Sequence, residues 1–318
     1  MRQYIVRRLL LFIPTLFLVS VIIFSLLRMI PGDIAEALLI GAGEGKFTQE
    51  DIEKLRHELG LNRPLYVQYV SWLWDMARGN LGNSMWTGEP ISKILKNRFP
   101  LTIELAFLTL FVSFVIAIPT GVLSAIRQDT WVDYVFRVVS IAGLAMPIFW
   151  TGILIIFFLV LFFDWMPPLG YASPFDDPLK NLQQLIWPAV AQGYMLAAIL
   201  SRMTRSSMLE VLRQDYVRTA WAKGLSEKVI IYRHALKNAI LPVVTLSGVQ
   251  FGALLGGVVI METVFSLPGM GRNLVEAIGH RDYTLIEVMI LLICLIYLFI
   301  NLIVDLLYGW LDPRIRYQ

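Results

Sequence analysis

The chain has 318 residues, of which 57% are hydrophobic and only 16% charged, against about 25% charged in soluble domains. A formal net charge of +3 is too small to indicate a nucleic-acid partner; where the charges lie carries more information than their sum. The single Cys294 excludes an intrachain disulfide framework, while His57, His234 and His280 lack metal-ligand spacing and there is no repeat of solenoid length.

Apolar runs of about 20 residues can cross the hydrocarbon core as helices. Six occur, at Leu9–Leu27, Leu101–Ala125, Val138–Phe163, Leu185–Leu200, Leu241–Val264 and Leu285–Tyr308, the fourth being the shortest. The expected fold is an all-α integral membrane protein with six transmembrane helices. Its parts are a flank and first span (1–30), an external helical segment (31–100) and a five-span core (101–318). The basic start and apolar run of the first span look like a secretory leader. However, Phe24–Gly32 has no small-x-small cleavage pattern and the run is too long, so the span is retained.

In the segment after the first span, Pro31-Gly32-Asp33 marks a turn. Thr48 is placed to cap a helix whose first turn holds Glu50 and Asp51, with Gly60 placed to end it. Leu65–Trp74 reads as an amphipathic, aromatic-rich helix suited to a membrane interface. Gly79–Ser84 reads as a loop and Pro90–Phe99 as a third short helix. Such a segment can pack on the spans as a cap, and can equally form a rim for an external partner.

Gly41-Ala-Gly-Glu-Gly-Lys46 has the look of a phosphate loop but lacks its chemistry. Phe47 stands where a Ser or Thr must hold Mg²⁺, and Ile40 stands where the first Gly belongs. The chain is therefore expected to carry no ATPase machinery, no catalytic residues and no metal.

Arg2, Arg7 and Arg8 precede the first span, Arg127 follows the second, and Arg314 and Arg316 close the chain. Between spans four and five lie Arg202, Arg205, Arg213, Arg218, Lys223, Lys228, Arg233 and Lys237. The link between spans three and four has Asp164, Asp176 and Asp177 against Lys180 alone. By the positive-inside rule both termini and the basic loop at about 201–240 are cytoplasmic.

Within that loop, Asp215-Tyr-Val-Arg-Thr-Ala-Trp-Ala-Lys-Gly224 reads as a short helix ended by Gly224, with Ser226 and Glu227 opening the next. It has the form of a docking element. Ala220 and Ala222 keep it slim and Trp221 offers an aromatic anchor. A solvated basic loop on anionic headgroups is the alternative. In the fifth span, Gly248, Gly252 and Gly256 form a groove for close helix approach, either inside this chain or on a partner. Arg28, Glu104, Arg137, Glu262, Glu287 and Asp305 lie in or near apolar runs. Of these, Glu262 and Asp305 are the candidates for a pathway, and structural ion pairing is the competing role.

Several motifs occur together in order: Tyr4–Leu10 with Pro31-Gly32-Asp33, Leu59–Tyr69, Gly79–Gly82, Asp215–Gly224, His234–Pro242, Glu262–Gly271 and Arg281-Asp282. Together they resemble the ABC importer permeases of the oligopeptide/dipeptide (peptide/nickel) family, first-permease type, over almost the whole chain. One departure is Arg218-Thr-Ala220 where the general importer loop begins Glu-Ala-Ala, which puts in doubt any ion pair that a Glu would make with an ATPase. The longer spacing to Leu241-Pro242 fits the peptide branch.

The resemblance implies a type I importer permease-like fold in a bacterial or archaeal plasma (inner) membrane. It implies a related second permease and two ATP-binding subunits that hold the ATP and Mg. It also implies an external binding protein that delivers peptides. Tyr216, Arg218, Thr219, Ala220, Trp221, Ala222, Lys223 and Gly224 would couple the chain to the ATPase. The rival reading is an ion-coupled secondary transporter using Glu262 or Asp305, and a membrane-embedded enzyme finds no convergent acid–base set.

Overall fold

The structure, a computed structural model, describes residues 2–41 and 48–311. Residues 42–46 of the false phosphate loop, and Arg314 and Arg316, lie outside them. Thirteen α-helices are present among the described residues: α1 (Arg2–Met29), α2 (Ile34–Gly41), α3 (Gln49–Glu58), α4 (Leu65–Ala77), α5 (Ile91–Ile126), α6 (Trp131–Ala145), α7 (Ile148–Phe163), α8 (Pro178–Leu212), α9 (Asp215–Ala222), α10 (Glu227–Val229), α11 (Leu236–Val264), α12 (Met270–Gly279) and α13 (Tyr283–Leu311). A six-residue π turn, Ile230–Ala235, joins α10 to α11. Five helices are long and apolar enough to cross a membrane, and a sixth span arises if α6 and α7 count as one broken element.

Two expectations about local structure are corrected. The third span is not a continuous helix over Val138–Phe163: α6 and α7 meet at a bend of 107°. Pro147 explains the break. Its ring forces Met146 out of the helical region, to φ −81° and ψ 128°, and it brings no N–H to continue the ladder. Likewise, Pro90–Phe99 is no separate short helix. It is the start of α5, which runs unbroken through Pro100 for 36 residues. At 1.5 Å per residue that is about 54 Å, well beyond the roughly 30 Å hydrocarbon layer. The short fourth span also grows, from Leu185–Leu200 to the 35 residues of α8, with Pro188 accommodated inside it.

The chain forms two compact units. The first contains residues 1–100 and 269–299. Its core gathers Leu27, Ile91, Ile94, Met270, Tyr283, Ile286 and Met289. Here α4 lies on α1 through Tyr69, which meets Ser20 at 2.8 Å and the Phe24 ring edge-on. The Arg28 guanidinium donates to Glu287 at 2.5 Å, both side chains largely buried, so two of the intramembrane charges form a structural pair. Buried Asp282 fastens the Gly79–Pro90 loop by accepting from the Ser84 hydroxyl and the Met85 N–H.

The second unit contains residues 101–268 and 300–318. In it α8 packs against α6, α7 and α11. Small residues permit these approaches: a Cβ on Gly121 would sit 2.7 Å from the Ser201 carbonyl oxygen and 2.5 Å from Thr204 Cβ. Gln192, buried in α8, donates to the Leu254 carbonyl of α11 at 3.0 Å. At the other end of α8, Asn181 and Tyr171 both donate to the Glu104 carboxylate, at 3.1 and 2.8 Å. Burial and this carboxylate push the Tyr171 phenol upward.

Candidate functional site

The segment that the sequence marks as a docking element is a discrete helix. After Leu212 ends α8, Gln214 turns the chain and α9 runs from Asp215 to Ala222. Its termination follows from Gly224, whose φ of +73° suits glycine and strains most side chains. The Gly224 N–H donates to the Trp221 carbonyl at 2.9 Å and the Leu225 N–H to the Ala220 carbonyl at 3.4 Å. These are the two bonds of a Schellman closure. Nothing lies within 4 Å of where a Gly224 Cβ would stand, so the requirement is conformational rather than steric.

What fixes this helix to the molecule is a small apolar contact. Val217 and Ala220, one turn apart, face inward onto fully buried Ile230, with Val211 and Leu212 of α8 packed around them. Tyr216 adds a polar tie, its hydroxyl accepting from Asn238 Nδ2 at 2.7 Å. The remaining face is open. Trp221 is half exposed, and Arg218, Thr219, Ala222 and Lys223 face outward. Arg218 and Asp215 pair at 3.5 Å on the surface, a contact of the kind contributing less than about 1 kcal/mol. Leu225, Val229 and Tyr232 extend the exposed apolar surface past the turn. Around it stand the exposed cations Arg213, Arg218, Lys223, Lys228, Arg233 and Lys237, with Asp215 and Glu227 the acids among them.

The structure thus divides the eight sequence-marked residues. Seven lie on the outside or at the turn, whereas Ala220 is an anchor turned into the protein. Its small side chain lets α9 lie close to Ile230, which is a different use of slimness from the one expected. Sequence reading missed Val217 and Ile230. The signal was present as an apolar pair spaced i, i+3 in an otherwise polar helix, but its partner lies beyond the turn. The π turn that carries Ile230 and Ile231 has no sequence signature; such turns are frequent at functional sites.

The other marked positions scatter. Gly248 packs inside the chain, a Cβ there falling 2.6 Å from Val304 of α13. Gly252 is buried on α11. Gly256 is exposed, with open space about it, so the glycine row does not face one neighbour. Glu262 is fully buried and accepts from the Thr102 hydroxyl at 2.6 Å. Asp305 is half-buried on α13. Among the described residues no group of three or more His, Cys, Asp or Glu is placed to hold a metal.

Residues 117–317 match the family described as binding-protein-dependent transport system inner membrane component, and residues 1–106 match the N-terminal region of the corresponding membrane components. The dipeptide transport system permease protein DppB of Alkalihalophilus pseudofirmus is 41% identical, with both chains covered in full. A probable peptide ABC transporter permease protein of Sinorhizobium fredii, y4tP, is 43% identical over the full length of both. Among solved structures, a chain of the MetNI methionine ABC transporter in an inward-facing form superposes with a TM-score of 0.57. It is 18% identical, covering 70% of this chain and 99% of its own, and that likeness speaks for the fold. The family model over residues 117–317 and full-length relatives at about 40% identity place the chain in the binding-protein-dependent transport system inner membrane component family.

Proposed function

We propose that the chain is one of two membrane-embedded permease subunits of an ATP-driven importer, and that α9 is the part through which the work of ATP arrives. Both termini and α9 face the cytoplasm in this reading, as the basic flanks favour, in the plasma (inner) membrane of a bacterium or archaeon. ATP and Mg are bound by two partner ATPase subunits, not by this chain. Peptides, handed over by an external binding protein, are the cargo. The names of the full-length relatives support peptides as the substrate class.

The observation that carries the reading is the combination of a rigid mount with an open face. Shifting a two-state permease from 1:99 to 99:1 requires roughly 5.5 kcal/mol of differential binding. An untethered loop would absorb that in its own freedom. Here Val217, Ala220 and Ile230 form a dry contact beneath α9, and the Schellman turn holds its end. Trp221 and the apolar residues after the turn offer what a partner groove can grip, and the surrounding cations favour an acidic rim. In this mechanism ATP binding closes the ATPase pair and draws the two permeases' coupling helices together, which opens the pathway outward; hydrolysis resets it.

The test is affinity purification of the tagged chain from its native membrane, followed by mass spectrometry. A second multi-span chain and P-loop ATPases should accompany it, and the ATPases should be lost when Trp221 and Lys223 are both replaced by Asp. Purification of the chain alone, or unchanged partners in the double variant, would overturn the assignment of α9. The recovered complex then allows di- and tripeptide uptake to be measured in liposomes, with absence of uptake arguing against peptide cargo.

A further inference from the structure

Asp133, in the first turn of α6, is a charged group with no exposed surface. Four donors converge on it: Arg205 Nε at 2.8 Å and Nη2 at 2.7 Å, the Ser124 hydroxyl at 2.5 Å and the Asp129 N–H at 3.1 Å. Those donors come from three places: the end of α5, the α5–α6 turn and α8. A buried ion pair of this kind contributes little net stability compared with an apolar replacement of the same shape. What it supplies is a single geometry, since the two parallel bonds of a guanidinium fork tolerate little rotation.

Its location gives that geometry a consequence. Arg205 lies seven residues before Leu212, where α8 gives way to α9, so about 10 Å of helix separates the ion pair from the coupling helix. Packing fills that interval. Val217 and Ala220 of α9 rest on Val211, Leu212 and Ile230. Val211 and Leu212 in turn belong to a cluster with Met208, Ile231 and Ala235 that reaches Val122 and Ala125 of α5. Thr120 and Ser201 close the α5–α8 contact at 2.9 Å. Along this row α6 is held through Asp133 and through packing on α8, whereas beyond Met146 the chain bends away into α7.

We propose that Asp133 is a positioning residue for energy coupling: it clamps the α5–α6 turn and α6 to α8, so that α9 and α6 move as one body when the ATPases close. This rests on α9 being the coupling helix, as proposed above. The Asp133 carboxylate itself touches neither nucleotide nor cargo. Its replacement therefore leaves partner binding in place and loses the transmission.

The experiment uses the whole complex in liposomes, with Cys294→Ser as background and spin labels on Cys at exposed Trp131, at the start of α6, and exposed Gln214, at the start of α9. In the parent complex the 131–214 distance, which spans the starts of α6 and α9, should stay within about 2 Å between the nucleotide-free state and the state trapped with ATP and vanadate. In Asp133→Asn the distribution should broaden at least twofold and change on trapping. Basal ATP hydrolysis should persist, but its stimulation by the binding protein should fall at least tenfold, with partial recovery in Asp133→Glu. A parent distance that changes on trapping, or an Asp133→Asn complex with unaltered distance and stimulation, overturns the clamp. Co-purification separates the two ideas: ATPase subunits missing from the parent complex refute the coupling-helix reading, while their presence with no Asp133 effect refutes only the clamp.

Discussion

Two short helices, α3 and α9, are closed by the same device and held in place by different ones. At ten and eight residues both are below the length at which an isolated helix is stable in water. Each ends in a Schellman turn on a glycine, Gly60 at φ +67° and Gly224 at φ +73°. At their starts they part company. Thr48 and Asp51 form a reciprocal capping box at the head of α3, whereas Gln214 gives α9 no side-chain cap. Instead α9 is pinned by the dry pair Val217 and Ala220, while α3 buries only Ile52 and is otherwise tied by the part-exposed ion pair of Arg56 with Asp33. A helix that only needs to exist can rely on local hydrogen bonds. One that transmits force, as proposed for α9, needs a tertiary anchor, because local bonds fix its shape and leave its position free.

The largest effect should come from attacking the anchor. Val217→Asp places a carboxyl against Ile230 with no donor provided, at a cost of roughly 2–7 kcal/mol. The variant chain should still insert in the membrane but recover no ATPase subunits on affinity purification. Equal recovery would mean that the Val217 contact does not position α9.

A matched pair of glycine substitutions compares the two helices directly. A β-branched residue in the left-handed region costs about 1–2 kcal/mol, and the space at both glycines is open enough to accept it. Gly224→Val should uncouple ATP hydrolysis from uptake by tenfold or more. Gly60→Val, with the same local strain, should leave the ratio of uptake to hydrolysis within twofold of the parent. Gly224→Asn, which tolerates this backbone region, should retain most coupling. Equal losses at both glycines would erase the distinction drawn between the helices.

Smaller effects belong to α3 alone. Thr48→Ala removes the cap and should cost about 1 kcal/mol locally, visible as faster amide exchange in residues 49–58 with transport unchanged. The Asp51 carboxyl is held below its usual range by the Thr48 N–H and hydroxyl. A lowered folded-state value means that the cap stabilises α3 fully above the ordinary carboxylate pKa, near 3.9, and loses that contribution as pH falls through the lowered value. Exchange in α3 corrected for intrinsic rates should therefore quicken only at acid pH, and the pH dependence should vanish in Asp51→Asn.

Much of this protein could be read directly from its residues. Apolar runs marked the spans because a bilayer demands about 20 apolar residues per crossing and little else matches that demand. Thr48, Gly60 and Gly224 announced helix ends because caps and left-handed turns depend on the residues beside them. What escaped was everything that depends on a partner distant in the chain. Ala220 belongs by sequence to the slim docking face, yet it is an anchor, since only the fold brings Ile230 beneath it. Val138–Phe163 was read as one span, although Pro147 bends it by 107°, because hydropathy counts side chains and is blind to the backbone's direction. Asp133 and Arg205, 72 residues apart, gave no sign of each other. Local chemistry is written in neighbouring residues and so is legible from them. Which face of a helix is buried, and which charge meets which, was decided only when the tertiary structure packed α5, α6 and α8 together.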